Sequence, residues 1–136
     1  MKKLLVLLFV PLFSFAQQEV SHLQLGLDFY EADLFDKSII EFNTSIETET
    51  TNNDVYYFRG RSYYFSDDYV NAEKDFTTYL GFNSEDTASY FFRGYSRLQL
   101  DKYDSSLSDL NKYISVINDF PNAYFDRAVC YFLMSD

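Results

Sequence analysis

The sequence predicts an all-α solenoid, three full helix–turn–helix repeats followed by the first helix of a fourth. Two observations carry this reading. The stretch YYFRGRSYYFSDDY at 56–69 returns as YFFRGYSRLQLDKY at 90–103, 34 residues later. Within each copy the large apolar residues fall at helical spacing, about 100° per residue, and not at the alternation of a strand.

The repeat holds across whole columns. Gly26, Gly60, Gly94 and Ala128 fall in register, as do Phe35, Tyr69 and Tyr103; Ser38, Ala72 and Ser106; Phe42, Phe76 and Leu110; Ile46, Leu80 and Ile114. Tyr56, Tyr90 and Tyr124 form another column, with His22 as its odd member, and Asp33, Asp67 and Asp101 one more. Such agreement marks an internal repeat, with units at 19–52, 53–86, 87–120 and 121–136.

The chain opens on a segment of a different kind. Lys2 and Lys3 precede an apolar run, Leu4 to Phe15, and Ser14-Phe15-Ala16 places small residues where a signal peptidase reads. Residues 1–16 therefore read as an export signal, too short to span a bilayer comfortably. No Cys follows Ala16 to carry a lipid, so the protein is expected in the periplasm or secreted, without stable membrane insertion. Loss of Lys2 and Lys3 would take the formal charge from −10 to −12. A chain this acidic, with no Lys/Arg stripe, is a poor fit to nucleic acid. Thirteen Tyr and 15 Phe with few Gly or Pro indicate an ordered, packed chain. Cys130 is the one cysteine, so stability is expected from packing; it reads as a small buried hydrophobe, with an intermolecular disulfide as the sharper alternative.

Within the second unit, Tyr56, Arg59, Gly60 and Tyr63 share one face of the first helix. Tyr69, Ala72, Phe76, Tyr79 and Leu80 form a stripe on the second. Ser66-Asp67-Asp68 between them can turn the chain and cap the next helix with a carboxylate. Pro121 opens the fourth unit in a first helical turn, where its missing N–H costs least. Glycine in mid-helix costs about 1 kcal/mol relative to alanine, so its recurrence points to close helix–helix contact. The small-residue column Ser38, Ala72, Ser106 is its expected counterpart.

These columns resemble the tetratricopeptide-repeat (TPR) family, whose period is also 34 residues: the aromatic at Tyr56, the Gly60 column, Tyr63, the Tyr69 column, Ala72, Phe76 and Leu80. Arg59-Gly60 and Arg93-Gly94 look like a common variant of an exported bacterial type. Ser38 and Ser106 stand where Ala is usual, and the Pro common at unit ends is missing from the first two units. The resemblance covers residues 19–136 and implies a right-handed solenoid with the first helices lining a concave groove. The Lys/Asn clamp by which some TPR domains hold chaperone C-termini is not expected, because those columns hold Leu23, Leu27, Phe58, Ala88 and Phe92.

Arg59, Arg93 and Arg127 share a column, with Leu25 in the first unit, and Glu41, Asp75 and Asp109 share another. Pairing within a unit leaves Glu41 facing Leu25; pairing between neighbours uses all three acids, as Glu41–Arg59, Asp75–Arg93 and Asp109–Arg127. The second scheme is the expectation, and its role is structural.

No catalytic or metal constellation emerges. His22 is the one histidine, without companions at ligand spacing. The acids at 31–33, 47–49 and 67–68 lack the pattern of a calcium loop and read as solvated turns and caps. No phosphate loop is present. An enzyme and a cofactor are not expected. The candidate binding residues lie on the second face of the first helices: Tyr57, Arg61, Tyr64 and Phe65, then Phe91, Tyr95 and Leu98, then Phe125. Rigid aromatics suit an extended peptide or an amphipathic helix of another protein; the bland alternative is packing between neighbouring helices. A glycan or small apolar ligand, and a structural segment of a longer envelope protein, are the other functional readings. Residues 124–133 are apolar nearly all round, with only Asp126 and Arg127 charged, which suggests further cover there, self-association included.

Overall fold

The computed structural model describes residues 20–48 and 52–135; the expected export signal, 1–16, lies outside them. Seven helices follow in order among these residues: α1 (His22–Glu31), α2 (Phe35–Thr48), α3 (Asp54–Phe65), α4 (Tyr69–Phe82), α5 (Thr87–Gln99), α6 (Tyr103–Val116) and α7 (Pro121–Leu133). None is long and apolar enough to cross a membrane.

Local chemistry sets the helix ends. Ser21, Asp68 and Asp86 cap α1, α4 and α5, each side chain accepting from a backbone N–H three residues on. Pro121 opens α7. The aspartate column supplies the turns: Asp33, Asp67 and Asp101 adopt φ of 56°, 59° and 58°. At the first turn Asp33 N donates to Tyr30 O and Leu34 N to Phe29 O, and the same two bonds recur at the next two turns. That is a Schellman ending with aspartate where glycine is usual. Tyr69 and Tyr103 hydroxyls donate to the carboxylates of Asp67 and Asp101, a bond that Phe35 cannot make to Asp33.

Helices pair as α1/α2, α3/α4 and α5/α6, and each pair packs on the next. The first helices touch in series, α1 to α3 to α5 to α7, whereas no contact joins α2 to α4 or α4 to α6. The stack is therefore tight along its first helices and splayed along its second ones. This makes an all-α helical-repeat solenoid whose concave side is built by α1, α3, α5 and α7.

The core lies between the layers, where Phe42, Ala72, Phe76 and Leu110 are fully buried. The glycine column does bring helices together, but its partners differ from the expected ones. A Cβ on Gly26 would stand 2.5 Å from the Phe42 ring, and on Gly60 and Gly94 it would meet the Asp75/Phe76 and Asp109/Leu110 side chains at 3.1–3.3 Å. The small-residue column instead faces the next unit: Ser38 Oγ lies 2.7 Å from Ser62 Oγ, and Cys130 Sγ donates to Ser106 Oγ at 3.3 Å. Ser106 alone reaches back to the glycine column, donating to Gly94 O. Cys130 is fully buried, out of reach of an intermolecular disulfide.

The ion pairs of these two columns run within units and not between them, so the expected register is corrected. Arg59 Nε and Nη2 donate to the two carboxylate oxygens of Asp75, each at 2.7 Å, and Arg93 grips Asp109 in the same way at 2.8 and 2.7 Å. Glu41 is not left facing Leu25, because His22 Nδ1 reaches its carboxylate at 2.7 Å. With that partner in place, Glu41 has no need of Arg59. Neighbouring units are joined by the other arm of each arginine: Arg59 to Asn43, Arg93 to Thr77 and Arg127 to Asn111. Arg97 adds a cross-unit bridge that the columns did not suggest, holding Glu73 at 3.0 Å and Asp109 at 2.8 Å. Burial counts against each charge in the Arg59–Asp75 pair. It leaves the Asp75 carboxyl above its usual range, whereas in Arg59 the hydrogen bonds it donates to Asp75, with the attraction of that charge, outweigh burial and raise the guanidinium.

Candidate binding site on the concave face

The middle of the concave face is occupied by a cation among rings. Arg61 projects from α3, with its guanidinium carbon 5.1 Å from the ring centre of Tyr30 on α1 and 5.2 Å from that of Phe92 on α5. Tyr57 and Phe65 of its own helix stand at 5.6 and 5.8 Å. One side chain thus ties three first helices through ring faces, each contact contributing about 0.5–2 kcal/mol. Arg61 forms no salt bridge among the described residues, and its Nε is buried without a hydrogen-bond partner. Burial pushes the Tyr30 and Tyr57 hydroxyls above their usual range, with Arg61 opposing.

One turn along, Tyr64 continues the face. Its ring meets Phe92 at 5.0 Å, Tyr95 at 5.3 Å and Phe65 at 5.3 Å, and Tyr95 lies 5.8 Å from Tyr69. Burial, then the neighbouring Tyr95 and Asp126, push the Tyr64 hydroxyl up to about 12. Asp126 on α7 closes the series. It is 6 % exposed, no hydrogen bond from a described residue reaches its carboxylate, and burial pushes it up to about 6.

The residues singled out in the sequence divide into four groups. Arg61, Tyr64, Phe65 and Tyr95 are brought together on this face, Phe65 remaining 45 % exposed and stacked on Phe35. Tyr57 and Phe91 pack against their own second helices, Tyr57 on Tyr79 and Phe76 while also flanking Arg61, and Phe91 on Tyr113 as well as on Phe120 at the start of α7. Phe125, in the same column, is exposed. Leu98 is a correction: it is buried in a cluster with Leu110 and Cys130, and no ligand reaches it. The shorter leucine does not extend along the face as Tyr64 does in the same column.

Tyr30, Phe92 and Asp126 were not anticipated. Tyr30 shares the column of Tyr64 and Leu98, so extending that column back one unit finds it. Asp126 follows Phe58 and Phe92 in theirs, and a carboxylate replacing a phenyl ring is a signal in plain sight.

A cavity of about 430 Å³ opens elsewhere, lined by Val70, Glu73, Lys74, Thr77, Thr78, Arg97 and Lys102. Glu73 is already held there by Arg97 and Lys102, and their hydrogen bonds keep its carboxyl below the usual range against the effect of burial. It offers no unpaired acid. Among the described residues no cluster of His, Cys, Asp or Glu is placed to hold a metal ion.

Solved structures place this architecture. The first TPR domain of Spaghetti (RPAP3), bound to an HSP90 peptide SRMEEVD, superposes with a TM-score of 0.74 at 16% identity, covering 85% of this chain and 91% of that one. The second TPR domain of human RPAP3, in complex with an HSP70 peptide SGPTIEEVD, gives 0.71 at 19% identity over 82% and 92%. A MamA structure gives 0.76 at 17% identity over 84% of this chain and 62% of that one. At these identities the likeness is one of fold, and the fold is that of TPR domains. The sequence matches no protein-family model and no curated relative.

Proposed function

We propose that this protein is an exported scaffold that acts by binding, not catalysis, taking a segment of another protein along its concave face. The observation that carries this reading is the Arg61 guanidinium. It is walled by Tyr30, Tyr57, Phe65 and Phe92, its Nε is buried without a partner, and no carboxylate of the described residues forms a salt bridge with it. The two peptide-bound RPAP3 domains of the same fold support a peptide as the kind of ligand. Export rests on the basic, apolar and small-residue pattern of residues 1–16.

The test is a displayed library of random 12-residue peptides selected on the wild-type protein and on a folded Arg61→Gln variant. A consensus enriched by the first and lost by the second supports the reading. No consensus from either overturns it.

A second reading concerns α7. Phe125 and Phe132 are 68 % and 66 % exposed, and Tyr131 is 56 % exposed. This apolar outer face favours self-association. Light scattering over a concentration series should show a dimer that Phe125→Ser/Phe132→Ser abolishes; a monomer throughout would remove it.

A further inference from the structure

We infer that Asp126, with the rings of Tyr64 and Tyr95, forms a receptor for a lysine or arginine side chain, so that the segment bound on the concave face carries a basic residue. This rests on the peptide-binding reading above and adds the chemistry of the ligand.

Three observations converge. Asp126 is more than nine-tenths buried, yet no described donor reaches it. Burial leaves this carboxylate only a narrow opening to solvent, which is costly for a charge without a partner, and a ligand cation entering there would supply the missing donor. Next, the position belongs to the Phe58/Phe92 column, whose members pack on rings of preceding units, Phe58 on Tyr30 and Phe92 on Tyr64 and Phe76. The repeat therefore provides an apolar seat there, and the fourth unit puts an acid in it. Finally, Tyr64 lies within electrostatic reach of Asp126 and 5.3 Å from Tyr95. Neither hydroxyl of these tyrosines forms a hydrogen bond among the described residues. A carboxylate near Tyr64, whose ring packs on Tyr95, can supply an ion pair and cation–π contact to one basic head group.

Charge complementarity points the same way. The chain carries a formal charge of −10, and Arg61 is the groove's own cation, so the unmatched acid at the α7 end calls for a base from the partner. The other carboxylates with arginine neighbours, Asp75, Asp109 and Glu73, are already saturated by them.

The experiment uses one lysine-containing peptide from the library selection and its acetyl-lysine counterpart. Each is titrated calorimetrically into wild type, Asp126→Asn and Asp126→Phe, the last restoring the column's phenyl ring so that packing is retained. Acetylation and either substitution should each weaken binding about tenfold, and combining them should cost no more than one alone. Enriched peptides without a basic residue, or equal affinity of wild type and both variants, would overturn this inference while leaving the groove reading in place. A library that enriches nothing overturns both.

Discussion

Arg59 grips Asp75 with two hydrogen bonds of 2.7 Å, inside one repeat unit, and no second arginine reaches that carboxylate. Asp109 occupies the same place one unit on but is held by both Arg93 and Arg97. The two sites therefore respond differently to the same lesion. Arg59→Ala strands a buried acid and should cost about 3–5 kcal/mol. Arg93→Ala leaves Arg97 in place and should cost about 1–3 kcal/mol. Urea unfolding of the two variants side by side checks this, and equal losses would mean that Arg97 does not hold Asp109 in solution.

Glycine substitutions separate two kinds of close contact. Alanine at Gly26 would push a methyl to 2.5 Å from the fully buried Phe42 ring, so Gly26→Ala should destabilise by about 1–3 kcal/mol in spite of its gain in helix propensity. At Gly60 the nearest atoms stand 3.2–3.3 Å away, close enough for small shifts to absorb the methyl. There the propensity gain and the crowding should nearly cancel, within about 1 kcal/mol. Thermal melts of both variants give the comparison.

The left-handed aspartates offer a stabilising change. Asp33 holds φ of 56° without the tyrosine bond that supports Asp67 and Asp101. Asp33→Gly should raise stability by about 0.5–1 kcal/mol, because glycine adopts this conformation without strain. Asp67→Gly loses the bond to Tyr69 and should gain less. Denaturant midpoints that rank the two variants in the opposite order would refute the role assigned to the tyrosines.

The repeat made the architecture legible: a 34-residue period with a glycine in each first helix and a bulky residue in each second one leaves little choice of packing. What it could not settle was which partner each column faces. Columns repeat identities, not directions, and Arg59 can reach forward to Asp75 or back toward the preceding unit with equal periodicity. The choice fell to the His22–Glu41 contact, which exists once and so has no column. The candidate binding face was half legible for a related reason. Averaging over units shows that a stripe is aromatic, but the features most informative for binding are departures from the average, namely Arg61 among rings and Asp126 in place of a phenylalanine. Leu98 misled because its column holds Tyr64 one unit earlier, and a shorter side chain there belongs to the core.

Asp126 also makes a prediction about pH that needs no ligand. Its folded-state value is raised to about 6 from an ordinary 3.8 by burial. Between about pH 4 and pH 6 the folded protein therefore holds a proton that the unfolded chain has released, and stability falls as pH rises through that window. Below it both states are protonated and nothing is lost; above it the whole penalty, about 1–3 kcal/mol, is present. Asp126→Asn carries no such charge. Its unfolding free energy should match wild type near pH 4 and exceed it by that amount at pH 7. The difference between the two proteins isolates this residue from every other group titrating in the range. A wild-type and variant pair that stay parallel from pH 4 to pH 7 would mean that the carboxylate is solvated in the free protein, and the receptor assigned to it would lose its driving force.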